Sequence, residues 1–149
     1  MTLCDYFSAP DDAAAAAVIG TPGGPLPAGF DAISLPDIDP VVVLGRLEAI
    51  MADRAGGEAG GRPTQAAQLV SEPDSEGPFV FRVSDALTAA LATAAPDDLA
   101  RAAAPWSLTD ELRQFQVDTA TATVALEVLA ALARRAHDGK LRVYCWWAL

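Results

Sequence analysis

Carboxylates are the side chains of this 149-residue sequence whose spacing could do chemistry, because paired acids can transfer protons or hold a divalent cation. The first 45 residues contain six Asp and neither Lys nor Arg. Three of the acids suit helix starts, where a carboxylate accepts hydrogen bonds from free backbone N–H groups. Helix capping is therefore the stronger interpretation, and we predict no catalytic and no metal-binding residue. The six acids are Asp5, Asp11, Asp12, Asp31, Asp37 and Asp39.

The single histidine and the two cysteines are the remaining reactive side chains. His137 is a candidate general base, but its place in the last turn of a predicted helix favours a partner of the helix dipole. A Ser-His-Asp triad has no local signature around it. Cys4 and Cys145 lack the Cys-x-x-Cys spacing of a redox pair, so we predict that both are reduced and buried.

Glycine-rich and aromatic stretches are further candidate binding elements. Thr21 to Gly29 is predicted to be a loop, and the overlapping Gly20-Thr-Pro-Gly-Gly-Pro25 stretch lacks the Lys of a phosphate-binding loop and follows a helix, so we predict no cofactor. Trp146 and Trp147 are adjacent on a predicted strand and must point to opposite faces. One belongs in the core, and the other lies under a helix or is exposed, as in an interaction surface.

The last third of the chain contains the helix and the strand around which the predicted fold is organised. The spacing predicts a helix over Val117 to Ala136, ended by Gly139 in the left-handed conformation, and a strand over Leu141 to Trp147. Because the connection is short, this strand must run antiparallel to the helix. The strand is apolar on both faces, so we expect it at the centre of the sheet or covered on both sides. The helix face predicted to be buried comprises Val117, Ala120, Val124, Val128, Leu129, Leu132 and Ala136.

Earlier segments complete an α+β or α/β pattern. Turn residues separate the apolar stretches, and 55–63 is a Gly-rich internal loop. The order predicts a single domain over 1–149, with a mixed sheet of about five strands packed with four to five helices. The other predicted strands are 3–7, 30–35, 66–70 and 79–83. The other predicted helices are 13–18, one capped by Asp39, one capped by Ser84, one from Pro96 to Pro105, and a turn or two over 107–115.

Charge and hydropathy exclude several classes of partner. The formal net charge is −10, which disfavours nucleic acid and anionic membrane surfaces. No apolar run reaches the length of about 18 residues that a transmembrane helix needs, and the start has no basic region typical of a signal peptide. We therefore expect a cytoplasmic protein.

Several motifs follow one another in a characteristic order. An opening strand contains Tyr6-Phe7, Asp37-Ile-Asp-Pro40 precedes a helix, and Gly77-Pro78-Phe79 runs into a strand. A Leu/Ala helix and a closing helix–Gly–strand unit complete the series. This order resembles the YfbM-like family of small bacterial proteins. An aromatic-rich helix, typical of the family, is missing at Val41 to Met51. Membership implies a single α+β domain and carries over no catalytic residue.

Two functions remain open. The first is a non-catalytic protein-binding module for a basic partner, of which a toxin-neutralising, immunity-type protein is one version. The second is a small enzyme or ligand-binding domain with a cleft lined by Asp and Tyr. The sequence leaves the oligomeric state open. The candidate partner-binding residues are Asp11, Asp12, Asp31, Asp37, Asp39 and Trp147.

Overall fold

The computed structural model describes residues 3–54, 67–73 and 76–148, which form one α+β domain around a five-stranded sheet. The predicted Gly-rich loop 55–63 lies outside the described residues. The strands are β1 (Leu3–Ala9), β2 (Ala32–Ser34), β3 (Ala67–Leu69), β4 (Phe79–Val83) and β5 (Arg142–Ala148). The helices are α1 (Asp12–Ala16), α2 (Val42–Arg54), α3 (Asp85–Thr93), α4 (Pro96–Ser107), α5 (Asp110–Gln114) and α6 (Thr119–Asp138).

The sheet has the order β2-β1-β5-β4-β3, and every neighbouring pair is antiparallel. The fold class is as predicted, although a mixed sheet was expected. The last strand, β5, lies at the centre, which explains why both of its faces are apolar.

One face of the sheet packs against the layer of helices α2 to α6 and forms the main core. Cys4, Tyr6 and Cys145 project from β1 and β5 into this layer and are fully buried. The Tyr6 hydroxyl donates a hydrogen bond to the backbone oxygen of Ile38, which ties the sheet to the segment that leads into α2. The phenol is thereby satisfied in an otherwise apolar environment.

The opposite face is covered by α1, a 3-10 turn (Ala17–Gly20) and the Gly/Pro loop that follows. Phe7, Tyr144 and Trp146 form the core of this smaller layer. Gly24 has a φ of +87°, and a Cβ placed there would lie 2.9 Å from the Trp146 ring. The loop is therefore a plain covering loop, as predicted, and its glycine permits close approach to the indole.

The C-terminal helix and strand form the predicted antiparallel unit, but the buried face of α6 is rotated from the predicted one. Leu129, Leu132 and Ala136 are buried as expected, whereas Val124 is 57% exposed and Val128 is 37% exposed. Ala120 is exposed as well. Alanines, whose small side chains let α3 and α4 approach closely, take the inward positions instead; they are Ala122, Ala125, Ala130 and Ala133.

Two predicted helix ends differ from the structure. Gly139 has a φ of −87°, and Lys140 takes the positive φ of 57°. Helix α4 continues through Pro105 to Ser107 because this proline sits on the exposed side near the helix end, where few hydrogen bonds remain to be lost.

The predicted caps at Ser84 and Asp39 are present, but Ser8, predicted to cap the first helix, lies in β1, and Asp11 caps α1 instead. Asp11 accepts a hydrogen bond from Ala14 N at 2.8 Å, and Ser84 accepts one from Leu87 N at 3.1 Å. The carboxylate of Asp39 accepts from Val41 N and Val42 N at 2.9 and 2.7 Å. Among the described helices, none has the length and apolarity needed to cross a membrane.

Candidate partner-binding surface

The domain has two ends that differ in charge, and α6 runs from one to the other. Helix α6 ends at Asp138, and β5 starts at Arg142, opposite Ala9 at the end of β1. We call this the exit end. The start end lies at the beginning of α6, where Ser107 Oγ and Thr119 Oγ1 are 3.0 Å apart.

Three of the candidate acids lie at the exit end, where α1 begins and β2 starts. Asp12 accepts a hydrogen bond from Arg82 Nη1 at 3.0 Å and one from the Tyr144 hydroxyl at 2.8 Å. Asp31 accepts two hydrogen bonds from the Arg135 guanidinium, at 2.7 and 3.1 Å. The third, Asp11, caps α1. These carboxylates are therefore engaged within the molecule.

The exit end is close to electrically neutral. Its segments 10–12, 31, 82, 85 and 134–142 carry five acids and five Lys or Arg residues, for a formal charge of zero. The guanidinium of Arg134 also donates to the backbone oxygens of Ala92 and Ala94 at the end of α3. A basic partner gains little long-range attraction from this end.

The other candidates, Asp37, Asp39 and Trp147, lie toward the start end. Asp37 and Asp39 lead into α2, whose first turn meets α4: Trp106 Nε1 donates a 3.0 Å hydrogen bond to Val43 O. Trp147 pairs in register with Cys4, near the beginning of β1. The structure thus separates the six candidates into two groups of three, because α1 and α2 begin at opposite ends of β1.

The start end carries excess negative charge. Helix α5 joins it through an ion pair of 3.2 Å between Arg46 and Glu111. The segments 35–46 and 107–121 carry five acids and two arginines, for a formal charge of −3. The N–H of Thr121 donates to Asp118, and this hydrogen bond lowers the pKa of the Asp118 carboxyl below its ordinary value. The acids are Asp37, Asp39, Asp110, Glu111 and Asp118.

Large apolar side chains are exposed on these same segments. Leu108, between α4 and α5, is 70% exposed, and Phe115 at the end of α5 is 43% exposed. Val41 and Val42, at the start of α2, are each nearly half exposed. Apolar groups bordered by charge form the usual pattern of a protein-binding surface, in which the apolar part is desolvated and the charged rim selects the partner.

Trp147 contributes less to this surface than the sequence suggested. Its ring is half-buried, packs against the main core and lies 5.7 Å from the Phe81 ring. Trp146 is buried on the other face, so the two indoles point to opposite sides as predicted. The indole Nε1 atoms of both residues are buried without a hydrogen-bond partner in the described structure.

Two clefts are formed by described residues. One, of about 390 Å³ between α2, α3 and α4, has one carboxylate among its described lining residues, Asp98, which forms an ion pair with Arg101. A smaller one, of about 170 Å³, is lined by Asp85 beside His137 and Arg142. The described lining of neither cleft includes a tyrosine. Within residues 3–54, 67–73 and 76–148, no group of three possible ligands could hold a metal ion.

The thiols and the tyrosines of the sheet are shielded from solvent. Burial raises the pKa of Cys145 and of Tyr6 well above their ordinary values. Burial, and then the hydrogen bond to Asp12, raise the pKa of Tyr144. Neutral, buried thiols and phenols are poor nucleophiles and bases, so they serve packing in this arrangement.

Glu48 is a buried acid that was not among the residues predicted from the sequence. It lies on α2, is 7% exposed, and has one carboxylate oxygen without a hydrogen-bond partner in the described structure. Burial raises its pKa, and a hydrogen bond from Ser84 partly opposes this effect. The sequence could have indicated this burial, because Glu48 follows Leu44 and Leu47 on the helix face that packs into the core.

Comparisons with protein-family models, curated proteins and solved structures gave no match. The resemblance to the YfbM-like family remains a prediction.

Proposed function

We propose that this protein is a non-catalytic binding module that recognises a basic protein partner through its start end. An immunity-type neutraliser of a basic toxin is one version of this role. The partner's cationic side chains would meet Asp39, Asp110 and Asp118, while an apolar side chain would pack on Leu108 and Phe115.

The observation that carries the proposal is the coincidence of exposed apolar side chains and excess acid on the same segments. Arginines offset the acids at the exit end, whereas the start end has a formal charge of −3. Excess charge steers a complementary partner and raises its association rate, and desolvated apolar anchors slow its dissociation.

The alternative, an enzyme or ligand-binding domain with an Asp/Tyr cleft, has weaker support. Asp12 and Tyr144 do contact each other, at 2.8 Å. However, their contact belongs to the packing of α1 on the sheet, and Arg82 occupies the remaining carboxylate oxygen at 3.0 Å. A substrate would have to displace the existing ion pair between Asp12 and Arg82.

The test uses a partner recovered from extracts of the source cells at low salt and then purified. We expect the double variant Asp110→Asn with Asp118→Asn to slow its association about three- to tenfold at low salt, with an unchanged fold. Asn remains a good helix cap, so Asp118→Asn preserves the start of α6.

A matched control makes the same charge change at the exit end. Asp11→Asn with Asp138→Asn also removes two negative charges, one of them from a helix cap. We expect this control to keep the association rate within about twofold. Equal slowing by both variants would mean that net charge alone matters, and no slowing by either would refute an acidic binding surface.

A further inference from the structure

We propose that the free edge of β2 and the exposed side of α6 beside it form an interface with a second copy of this chain. This surface consists of Ala32 to Ser34 on β2 and of Val124 and Val128 on α6. It is distinct from the start-end surface proposed to bind a basic partner, and the two proposals do not depend on each other.

The side of α6 that carries the exposed valines faces the β2 edge of the sheet. The salt bridge between Arg135 and Asp31 fixes this orientation, since it joins the last turn of α6 to the residue before β2. At 100° per residue, Val128 and Val124 lie within about 20° of Arg135 around the helix axis. Both valines therefore project to the same side as the guanidinium.

Strand β2 presents backbone hydrogen-bonding groups along an edge that no described strand pairs with. Among the described strands it has one neighbour, β1. Leu35 N donates a hydrogen bond to Cys4 O, and Ser8 N donates one to Asp31 O. The backbone N–H and C=O groups of the odd-numbered residues in this stretch therefore point toward β1. Because direction alternates along a strand, the N–H and C=O groups of Ala32 and Ser34 point outward.

These outward groups match those of a second β2 strand run antiparallel to the first. Pairing Ala32 with Ser34 of the second copy, and the reverse, satisfies four backbone groups on each strand and places the two Ile33 residues opposite each other. Such pairing is symmetric about a two-fold axis, as in most homodimers. Ile33 faces the helix layer, so the two α6 helices come to lie on the same side of the joined sheet.

The low charge of α6 along this surface favours a second copy of the chain as the binding partner. Each molecule has a net charge of −10, so two copies repel each other over most of their surface. From Thr119 to Ala133, α6 carries a single charged residue, Glu127, in fifteen positions. A basic partner would find little to bind on this side, whereas two copies can approach there with the least repulsion.

Self-association should therefore respond to salt in the opposite way from binding of a basic partner. Screening weakens the repulsion between two acidic molecules and strengthens the dimer, but it weakens attraction between opposite charges. Failure of one proposal can thus be distinguished from failure of the other.

The experiment is sedimentation equilibrium of the full chain over a range of concentrations, at low and at physiological salt. We expect a species of twice the 15.4 kDa monomer mass, more populated at the higher salt. The variant Val124→Arg with Val128→Arg should raise the dissociation constant at least about tenfold, since it places four cations in the contact. Both positions are exposed in the monomer, so the fold should survive.

Two further variants make the test specific. Ser34→Pro removes an outward N–H while leaving the groups that bond to β1, and it should also weaken the dimer. Leu108→Arg makes a similar exposed change outside the surface and should leave the dimer intact. A wild type that stays monomeric at all concentrations overturns the proposal, as does a dimer unaffected by the α6 variant. If a monomeric wild type instead loses its basic partner on Val124→Arg with Val128→Arg, the surface belongs to that partner.

Discussion

The hydroxyl of Tyr144 on the central strand donates a 2.8 Å hydrogen bond to the carboxylate of Asp12 in the first turn of α1. The two residues are 132 positions apart in the sequence. Their contact anchors the α1 layer to the sheet, and it assigns Asp12 a structural role that its place among six acids did not reveal.

Removing the acceptor from this contact should destabilise the domain. Asp12→Ala leaves the buried Tyr144 hydroxyl without a partner and should lower the free energy of unfolding by about 1–3 kcal/mol. Adding Tyr144→Phe should recover part of that loss, because the orphaned hydroxyl is then gone. Urea denaturation measures both effects. Equal stability of wild type and Asp12→Ala would show that the hydrogen bond contributes nothing measurable.

Neutralising Asp11 and Asp12 together should have a small effect on partner association. The sequence alone favoured them as steering charges, but both lie at the near-neutral exit end. We expect Asp11→Asn with Asp12→Asn to change the association rate by less than about twofold at low salt. Stopped-flow or surface-based kinetics with the purified partner can measure this, and a large slowing would restore the exit end as the binding surface.

An aspartate should destabilise the domain far more on the buried side of α6 than on its exposed side. Leu132 is fully buried, so Leu132→Asp places an unpaired charge in the main core and should cost several kcal/mol, on the order of 3–5. Val124→Asp makes the matched change at a side chain that is 57% exposed and should cost less than about 1 kcal/mol. Thermal melts followed by circular dichroism test this, and similar losses would mean that the buried face of α6 is misassigned.

The course of α6 illustrates what the sequence could predict about this fold. Helical periodicity located the helix, and the aromatic run after it located the central strand. The side of α6 that faces the core was harder to predict. Valine is more hydrophobic than alanine, so the sequence favoured the valines as the buried residues. The close packing of α3 and α4 on α6 selects small side chains such as Ala130 and Ala133, and no local pattern in the sequence encodes that contact.

The candidate site was predictable only in part, for a similar reason. Capping by Asp39 follows from local sequence and is present, whereas the first helix begins at Asp11 and not at the predicted cap Ser8, because β1 extends to Ala9. The grouping of acids into two ends depends on strand pairing across more than a hundred residues, as does the neutralisation of Asp31 by Arg135. Long-range pairing of this kind cannot be predicted from the spacing of acids along the chain.

The buried Glu48 should make stability depend on pH. Its pKa is raised in the folded state, so the folded protein binds this proton more tightly than the unfolded chain does. The contribution of Glu48 to stability is therefore fully present below its unfolded pKa and is lost as pH rises through the higher folded pKa. Glu48→Gln removes the titrating group and should gain stability relative to wild type as pH rises through that interval.

The measurement is the difference in unfolding free energy between Glu48→Gln and wild type at a series of pH values. Other carboxyls titrate in both proteins and largely cancel from the difference. Glu127→Gln, the same substitution at an exposed position of α6, provides the matched control for the effect of removing a negative charge. A flat profile for Glu48→Gln would mean that its carboxyl is not desolvated in solution.

The two thiols should react slowly in the native protein. Cys4 and Cys145 are free and fully buried, and burial raises the pKa of the Cys145 thiol. They sit diagonally across the β1–β5 pair, since Cys4 pairs with Trp147 and Cys145 with Tyr6. We expect an aromatic disulfide reagent to label them only at the rate of unfolding. Rapid labelling in buffer, or a disulfide-linked form under mild oxidation, would contradict this arrangement.

The salt dependence of association tests the central claim, that the protein binds a basic partner through its start end, most directly. The measurement is the association rate of the purified partner at ionic strengths from about 0.01 to 0.5 M, a range over which the Debye length falls from about 30 Å to below 8 Å. We predict a rate that falls steeply with added salt for the wild type and less steeply for Asp110→Asn with Asp118→Asn. A rate independent of salt, or a partner that proves to be acidic, would contradict the account.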